Sequence, residues 1–464
     1  MSETRVQKRL FGTNGVRGIV GSDMTADLVM RIGKALGSMR GGRIAVGRDT
    51  RTSGEALSSA ISAGLMATGC DVVDCGVLPT PALQYIVRDH FDAGAMITAS
   101  HNPPEYNGVK IIEPDGTEMG DQETLKLEDL IFSGDFKEVA WERVGQKTED
   151  KNLRTTYVDA IVNHFPAGAG DGMTVVVDPG SGPAAETTPQ ILTRLGCRVH
   201  TINARMDGRF PGRLPEPSPE GLAPLAEMVR ATGAAFGVAH DGDADRAVFV
   251  DDQGRYIEEN MEFGLIEGHI CSGRTGIVVT PVSTSMIAET VAGKNDCRVE
   301  FTPVGSIYVA RKMRELIAAG EKVAFGGEGN GGLIFPEHQF CRDGGMTAAM
   351  MVAVLHARGE KLSTLVDAMP SYRIIKEKVK TAHAEEVIAT LKERHSTERI
   401  DCRDGIRINR EGAWALVRPS GTEPMMRIIV EATDDSTCQE FFEEIMESIH
   451  AAAPDLLEPQ AGHQ

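Results

Sequence analysis

Three aspartates crowd into HDGDADR (240–246): Asp241, Asp243 and Asp245. They follow the apolar run 234–239, so they stand at the end of a strand expected to be buried. Extended geometry, with its two-residue period, would send all three carboxylates to one side. Converging carboxylates repel one another unless a cation neutralises them. Oxygen-only ligands favour Mg²⁺, which commonly takes its remaining ligands from substrate phosphate. A solvated acidic turn is the plain alternative. An EF-hand does not fit, because its sixth position would be Arg246 and its twelfth Asp252. A phosphatase with an aspartyl nucleophile also places DxD after a strand, but the threonine usual two residues beyond its second aspartate is Asp245 here.

Two further segments suit a sugar phosphate. VRPSGTEPMMR (417–427) offers the guanidinium of Arg418, the hydroxyls of Ser420 and Thr422, and a close backbone approach at Gly421. Arg427 adds a second fork, and the set matches a phosphate monoester. AFGGEGNGGLIF (324–335) sets Glu328 and Asn330 among five glycines. It fits neither a Walker nor a dinucleotide fingerprint, but a carboxylate and an amide on such a loop are suited to sugar hydroxyls. FGTNGVRG (11–18) places Arg17 among glycines and says little alone.

TASHNPPEYNGVK (98–110) puts Ser100 beside His101 and first suggests a hydrolase dyad. The nucleophile elbow GxSxG is absent, and in an extended segment neighbouring side chains diverge, which places His101 poorly as a base. With a metal loop, a phosphate loop and a sugar loop elsewhere, Ser100 reads better as a nucleophile that carries a phosphoryl group covalently.

The elements that must position these loops follow a repeated order. RIAVGRD (43–49), MTVVVDPGSG (173–182) and TGIVVTP (275–281) each read as a β-branched strand followed by a helix and a second strand near a cysteine. Strand–helix–strand units imply parallel pairing with right-handed crossovers. The expected class is α/β, with three related mixed-sheet α/β domains in series followed by a smaller C-terminal α+β domain. Joints are expected near 150, 255 and 371. The last segment combines a helix over 383–395, an alternating stretch from Gly405, and the amphipathic helix CQEFFEEIMESIHAAA. GGMTAAMMVAVL (344–355) reads as a buried helix with methionine filler, and the tail DLLEPQAGHQ as frayed.

Bulk properties bound the function. The 464 residues are 41% hydrophobic and 25% charged, enough for several packed cores. A net charge of −19 argues against nucleic acid or an anionic membrane as partner. The eight cysteines have no CxxC or zinc spacing and read as reduced thiols of a cytoplasmic protein. MSETRVQKRL is too polar for a signal peptide, and no run is long enough for a membrane span.

Taken in order, TASHNPPEYNGVK, DGDADR, GEGNGG and RPSGTEP resemble the α-D-phosphohexomutases over essentially the whole chain. The resemblance implies four domains around one cleft: 1–150 bearing the phosphoserine, 151–255 the metal, 256–370 the sugar loop and 371–464 the phosphate loop. It implies phosphoserine at Ser100 and one Mg²⁺ held by that group with Asp241, Asp243 and Asp245. Arg17, His101 and Lys110 would lie at the transferring phosphate, Lys110 as proton carrier, with Arg246 close by. Glu328 and Asn330 would grip sugar hydroxyls. Arg418, Ser420, Gly421, Thr422 and Arg427 would hold the phosphate that is not transferred. A hexose 1,6-bisphosphate would serve as activator and intermediate.

Two departures bear on these expectations. Many members read GE-x-SGH in the sugar loop, whereas Asn330 and Gly332 stand here, so the role of that histidine does not carry over. This version resembles archaeal members. Gly421 resembles members acting on glucosamine phosphates, where mannose and glucose types more often have asparagine. The expected reaction interconverts glucosamine 6-phosphate and glucosamine 1-phosphate. Mannose or glucose phosphates, a metal-dependent phosphatase and a non-catalytic sugar-phosphate binder stay open as alternatives, as do monomer and homodimer.

Overall fold

The computed structural model describes residues 9–12, 14–381, 383–420 and 425–453. Among these, the strands form four sheets. The first runs in the order Val16–Ile19, Tyr106–Ile112, Ala93–Ile97, Arg43–Arg48, Asp71–Val77, Lys147–Glu149. Arg43–Arg48 lies parallel to both Ala93–Ile97 and Asp71–Val77. Ala93–Ile97 is buried along its full length, which is why its sequence is an unbroken apolar run.

The second and third sheets repeat the same plan. Ala247–Asp251, Phe236–His240, Thr174–Asp178 and Arg198–Thr201 form one; Gly332–Ile334, Val323–Glu328, Gly276–Pro281 and Cys297–Thr302 form the other. In all three units a central parallel strand is flanked by two parallel neighbours, one of which turns back into an antiparallel partner. The turn of that hairpin carries the loop with Ser100 in the first unit, the aspartates in the second and Asn330 in the third. One topological position, used three times, therefore supplies three of the four candidate loops.

The crossover after Thr174–Asp178, expected as one helix, is split into a 3-10 turn, Pro183–Glu186, and a helix, Thr188–Arg194, with prolines opening both. The methionine-rich segment forms the buried helix Gly344–Arg358. A continuous core joins the three units through residues such as Leu83, Val158, Phe236, Phe325 and Met351. The helix Glu259–Cys271 carries two buried carboxyls, Glu262 and Glu267, into this region.

The fourth sheet is antiparallel throughout: Arg373–Lys380, Met425–Ala432, Ala413–Pro419, Ile406–Arg410, Arg399–Asp401. Helices Ala384–Arg394 and Asp435–Ala452 close its apolar face in a separate core. It meets the third unit through Val282, Trp414 and Leu416. The tail from 455 lies outside the described residues. Among the described residues, no helix is long and apolar enough to cross a membrane.

Candidate active site

Ser100 begins the loop between Ala93–Ile97 and Tyr106–Ile112 in a left-handed conformation, φ +50°. A residue with a side chain stays there only when its surroundings hold it. Its N–H donates to Thr98 Oγ1 at 2.9 Å. From beneath, the buried guanidinium of Arg51 donates to the carbonyls of Ser100 (2.8 Å), Asn102 (2.6 Å), Pro103 (2.5 Å) and Tyr106 (2.9 Å). Its remaining N–H, at Nε, donates to Asp49 at 3.0 Å, and Asp49 also accepts from Thr98 Oγ1 at 2.6 Å. Four of the five donors of the guanidinium thus hold one loop, and the fifth holds Asp49. Gly208 of the second unit packs against Arg51, where a Cβ would lie 2.3 Å from Thr50 O.

The extended reading of this segment is corrected. The left-handed turn brings His101 Nδ1 to 3.3 Å from Ser100 Oγ. Burial, with the charge of Arg246 beside it, nevertheless lowers the His101 pKa to about 4. A base that weak is a poor partner for a serine hydroxyl at neutral pH, so proximity alone does not make a hydrolytic dyad.

The aspartate segment also departs from the extended geometry expected. The chain must reverse from Phe236–His240 into Ala247–Asp251, so 241–245 form a turn with Ala244 at φ +59°. The carboxylates still converge: all three are buried, with one oxygen of each within 4.8 Å of the others. Asp241 Oδ1 accepts from the Arg246 N–H at 3.2 Å, and Asp241 Oδ2 accepts the Ser100 hydroxyl at 2.9 Å. Gly242 lets the two loops touch, since a Cβ there would lie 2.2 Å from Ser100 O.

Cations from other units balance this charge. Lys110 Nζ donates to Asp243 Oδ2 at 2.7 Å and to Asp245 Oδ2 at 3.0 Å. Burial works against its ammonium, but the two aspartates outweigh it and hold its pKa above the ordinary lysine value. Arg342 bridges Asp245 and Glu328, meeting Glu328 Oε2 at 3.2 Å. Its backbone is fixed by the next residue, Asp343, which caps the helix Gly344–Arg358. Thr80 Oγ1 donates to Asp243 Oδ2 at 2.5 Å. Burial opposes ionisation of Asp245, yet Arg342 and Lys110 hold it well below the usual carboxylate range. Asp241 goes the other way, pushed up to about 7 by burial and by Asp245. Asp243 Oδ1 and Asp245 Oδ1 are buried without a hydrogen-bond partner among the described residues. Two unclaimed oxygens beside Asp241 make an oxygen-only set that can bind a metal ion.

Arg246 faces the same cluster. Its two terminal nitrogens each donate to one oxygen of Glu216 at 3.0 Å, and its Nε donates to Asp241 Oδ2 at 3.3 Å. Glu216 Oε2 lies 3.7 Å from His101 Nδ1. Arg17, paired across strands with Gly108, donates to Asn102 Oδ1 at 3.0 Å. Burial lowers its pKa against the pull of Asp243 and Asp245.

Glu328 joins the cluster through Arg342. Asn330 turns inward on its own loop, where its Oδ1 accepts from Gly332 N–H at 3.2 Å. In the fourth sheet, Arg418 and Arg427 stand opposite one another in register, and Lys378 lies opposite Arg427 on the other side. Opposed residues share a face, so three cations form a row that an anion would relieve. Arg418 Nε meets Asp404 at 3.2 Å, and Ser420 N–H donates to Met425 O at 2.8 Å. Gly421 and Thr422 lie outside the described residues.

Arg51, Thr80, Glu216, Arg342 and Lys378 were not anticipated. They carry no motif of their own; only Lys378 has a local signal, its place on the alternating strand RIIKEKVK.

Four family profiles match the chain in order: phosphoglucomutase/phosphomannomutase α/β/α domains I (8–138), II (155–254) and III (260–372), and the C-terminal domain (373–448). A Thermococcus kodakarensis protein named phosphoglucomutase/phosphomannomutase is 42% identical, covering 94% of this chain and 97% of the relative. A Methanopyrus kandleri protein named probable phosphoglucosamine mutase is 41% identical, covering 97% of this chain and all of the relative (100%). A crystal structure of a phosphoglucomutase/phosphomannomutase family protein from Burkholderia thailandensis superposes with a TM-score of 0.88 at 26% identity, over 97% of this chain and 99% of that one.

Proposed function

Because the chain belongs to the phosphoglucomutase/phosphomannomutase family, we propose that it interconverts glucosamine 6-phosphate and glucosamine 1-phosphate, with Ser100 as phosphoryl carrier. It is an isomerase-type intramolecular phosphotransferase, a phosphohexomutase. The observation that carries the mechanism is the Ser100 hydroxyl, held in a left-handed turn 2.9 Å from Asp241 Oδ2.

The Ser100 Oγ–P bond breaks as a bond forms from phosphorus to the free sugar hydroxyl. Lys110, held as an ammonium, is assigned to give a proton to the departing Ser100 Oγ, and the proton released by the sugar hydroxyl restores that ammonium. The hexose 1,6-bisphosphate turns end for end, and its other phosphoryl group returns to Ser100 with the reverse proton movement. Asp241, Asp243 and Asp245, with an oxygen on Ser100, would hold Mg²⁺, which would supply a Lewis acid for the phosphoryl oxygens. Arg17, His101 and Arg246 orient the transferring group, and Glu328 and Asn330 hold sugar hydroxyls. Arg418, Ser420, Gly421, Thr422 and Arg427 hold the distal phosphate, with the cation row of the fourth sheet in support. We assign these roles to domains 1–150, 151–255, 256–370 and 371–464. A cytoplasmic setting suits the eight free cysteines.

Gly421 and the name of the Methanopyrus relative favour glucosamine; the name of the Thermococcus relative favours a second reading, glucose or mannose phosphates. Initial rates on the three hexose 1-phosphates, each with its 1,6-bisphosphate, separate the two. Preference for glucosamine 1-phosphate is expected, and preference for a neutral sugar overturns the assignment.

A further inference from the structure

We propose that Glu216 is the counter-anion of the unphosphorylated site, holding Arg246 until a phosphoryl group on Ser100 displaces it. The proposal rests on the reading of Ser100 as phosphoryl carrier.

The geometry points to competition for one guanidinium. Arg246 gives both terminal nitrogens to Glu216 at 3.0 Å. Its Nε and the Ser100 hydroxyl meet on the same atom, Asp241 Oδ2, at 3.3 and 2.9 Å. His101 Nδ1 spans the same pair, 3.3 Å from Ser100 Oγ and 3.7 Å from Glu216 Oε2. A phosphoryl group built on Ser100 Oγ therefore enters beside a guanidinium whose two terminal nitrogens Glu216 already holds. Phosphoserine brings a charge of about −1.5 to −2 and three acceptor oxygens, and guanidinium forks bind it strongly. It also repels the Glu216 carboxylate.

Only one partner has room to leave. The side chains of Asp241 and Arg246 are 0% and 9% exposed, whereas Glu216 is 46% exposed and can turn into water. The movement is confined by its neighbours. Arg213, three residues earlier, is anchored to Asp178 Oδ2 at 2.8 Å and to His240 O at 2.6 Å. Pro215 and Pro217 on either side of Glu216 are buried, so what moves is the Glu216 side chain itself.

Glu216 is then a positioning residue that acts through Arg246. By stabilising the unphosphorylated enzyme, it offsets the attraction of the site for the phosphoryl group and keeps that group transferable. In the exchange with a hexose 1,6-bisphosphate, the Ser100 O–P bond forms as one sugar O–P bond breaks, and the serine proton passes to the released sugar oxygen.

The test equilibrates wild type, Glu216→Gln and Glu216→Asp with a fixed ratio of glucosamine 1,6-bisphosphate to monophosphate, and reads phosphoenzyme by intact mass. Glu216→Gln is expected to raise the ratio of phosphorylated to unphosphorylated enzyme on the order of fivefold, with Glu216→Asp nearer wild type. A merely structural role would not increase phosphorylation. A ratio in Glu216→Gln equal to or below wild type overturns the proposal while leaving the carrier reading intact. If wild type takes up no phosphoryl group from any hexose bisphosphate, the carrier reading fails and the proposal with it.

Discussion

Lys110 Nζ and Asp243 Oδ2 lie 2.7 Å apart, joining two separate units through groups that are 2% and 0% exposed. Together with Arg342 on Asp245 and Arg246 on Asp241, the pair explains how three buried carboxylates coexist before a metal ion arrives. Removing one partner of a buried ion pair typically costs about 3–5 kcal/mol, because the other charge is left uncompensated. Lys110→Met is therefore expected to lower thermal stability markedly without divalent cation. Added Mg²⁺ should raise the melting temperature of the variant more than that of wild type. Equal shifts in both proteins would mean that Lys110 and the cation do not share the same charge.

Arg51 tests whether the Ser100 loop depends on one buried guanidinium. Lysine offers a charge but not a planar fork with five donors. Arg51→Lys should lower kcat by roughly 10- to 100-fold, with a much smaller change in KM, since the affected group is the nucleophile. Steady-state kinetics checks this, and a variant that changes only KM would place Arg51 in substrate binding instead.

The cation row of the fourth sheet should act on affinity. Arg418→Ala is expected to raise KM for the hexose phosphate on the order of tenfold or more, and exposed Lys378→Ala by a few-fold, through lost charge-assisted contacts. The change should be read as KM against kcat. A fall in kcat with KM unchanged would remove the row from distal phosphate binding.

Glu262 gives a pH dependence that is independent of catalysis. Burial, with Glu259 and Glu258 beside it, raises its pKa well above the ordinary 4.5, and neither oxygen has a hydrogen-bond partner among the described residues. The folded protein therefore keeps a proton that the unfolded chain releases. This contribution is full below pH 4.5 and falls as pH rises, by about 1.4 kcal/mol per unit until the folded pKa is reached. Glu262→Gln is expected to be more stable than wild type at pH 8, with the difference vanishing toward pH 4.5. Parallel stability curves for the two proteins would show that Glu262 is not held protonated.

Much of this organisation was legible in the sequence for physical reasons. The runs around 43–49, 173–182 and 275–281 are apolar because central parallel strands are covered on both faces, and that signal is strong. Ser100 and the three aspartates announce themselves because their chemistry is crowded into a few adjacent residues. The geometry of both loops was not legible. Left-handed backbone at Ser100 and Ala244 is imposed by partners elsewhere, and neither residue type advertises it. Arg51 acts on backbone carbonyls 49 to 55 residues away, and Arg342 on a carboxylate 97 residues away. Such contacts depend on how the units pack, and no local periodicity encodes them. Glu216, between two prolines, reads as solvent-facing charge until Arg246 is seen beside it.

The central claim is that Ser100 carries the phosphoryl group. Isotope-labelled hexose 1,6-bisphosphate, brief incubation and peptide mapping test it directly. The account predicts one labelled phosphoryl group per chain, located on Ser100, chased off by monophosphate, and absent in Ser100→Ala together with mutase turnover. Label on another residue, or full turnover by Ser100→Ala, would contradict it.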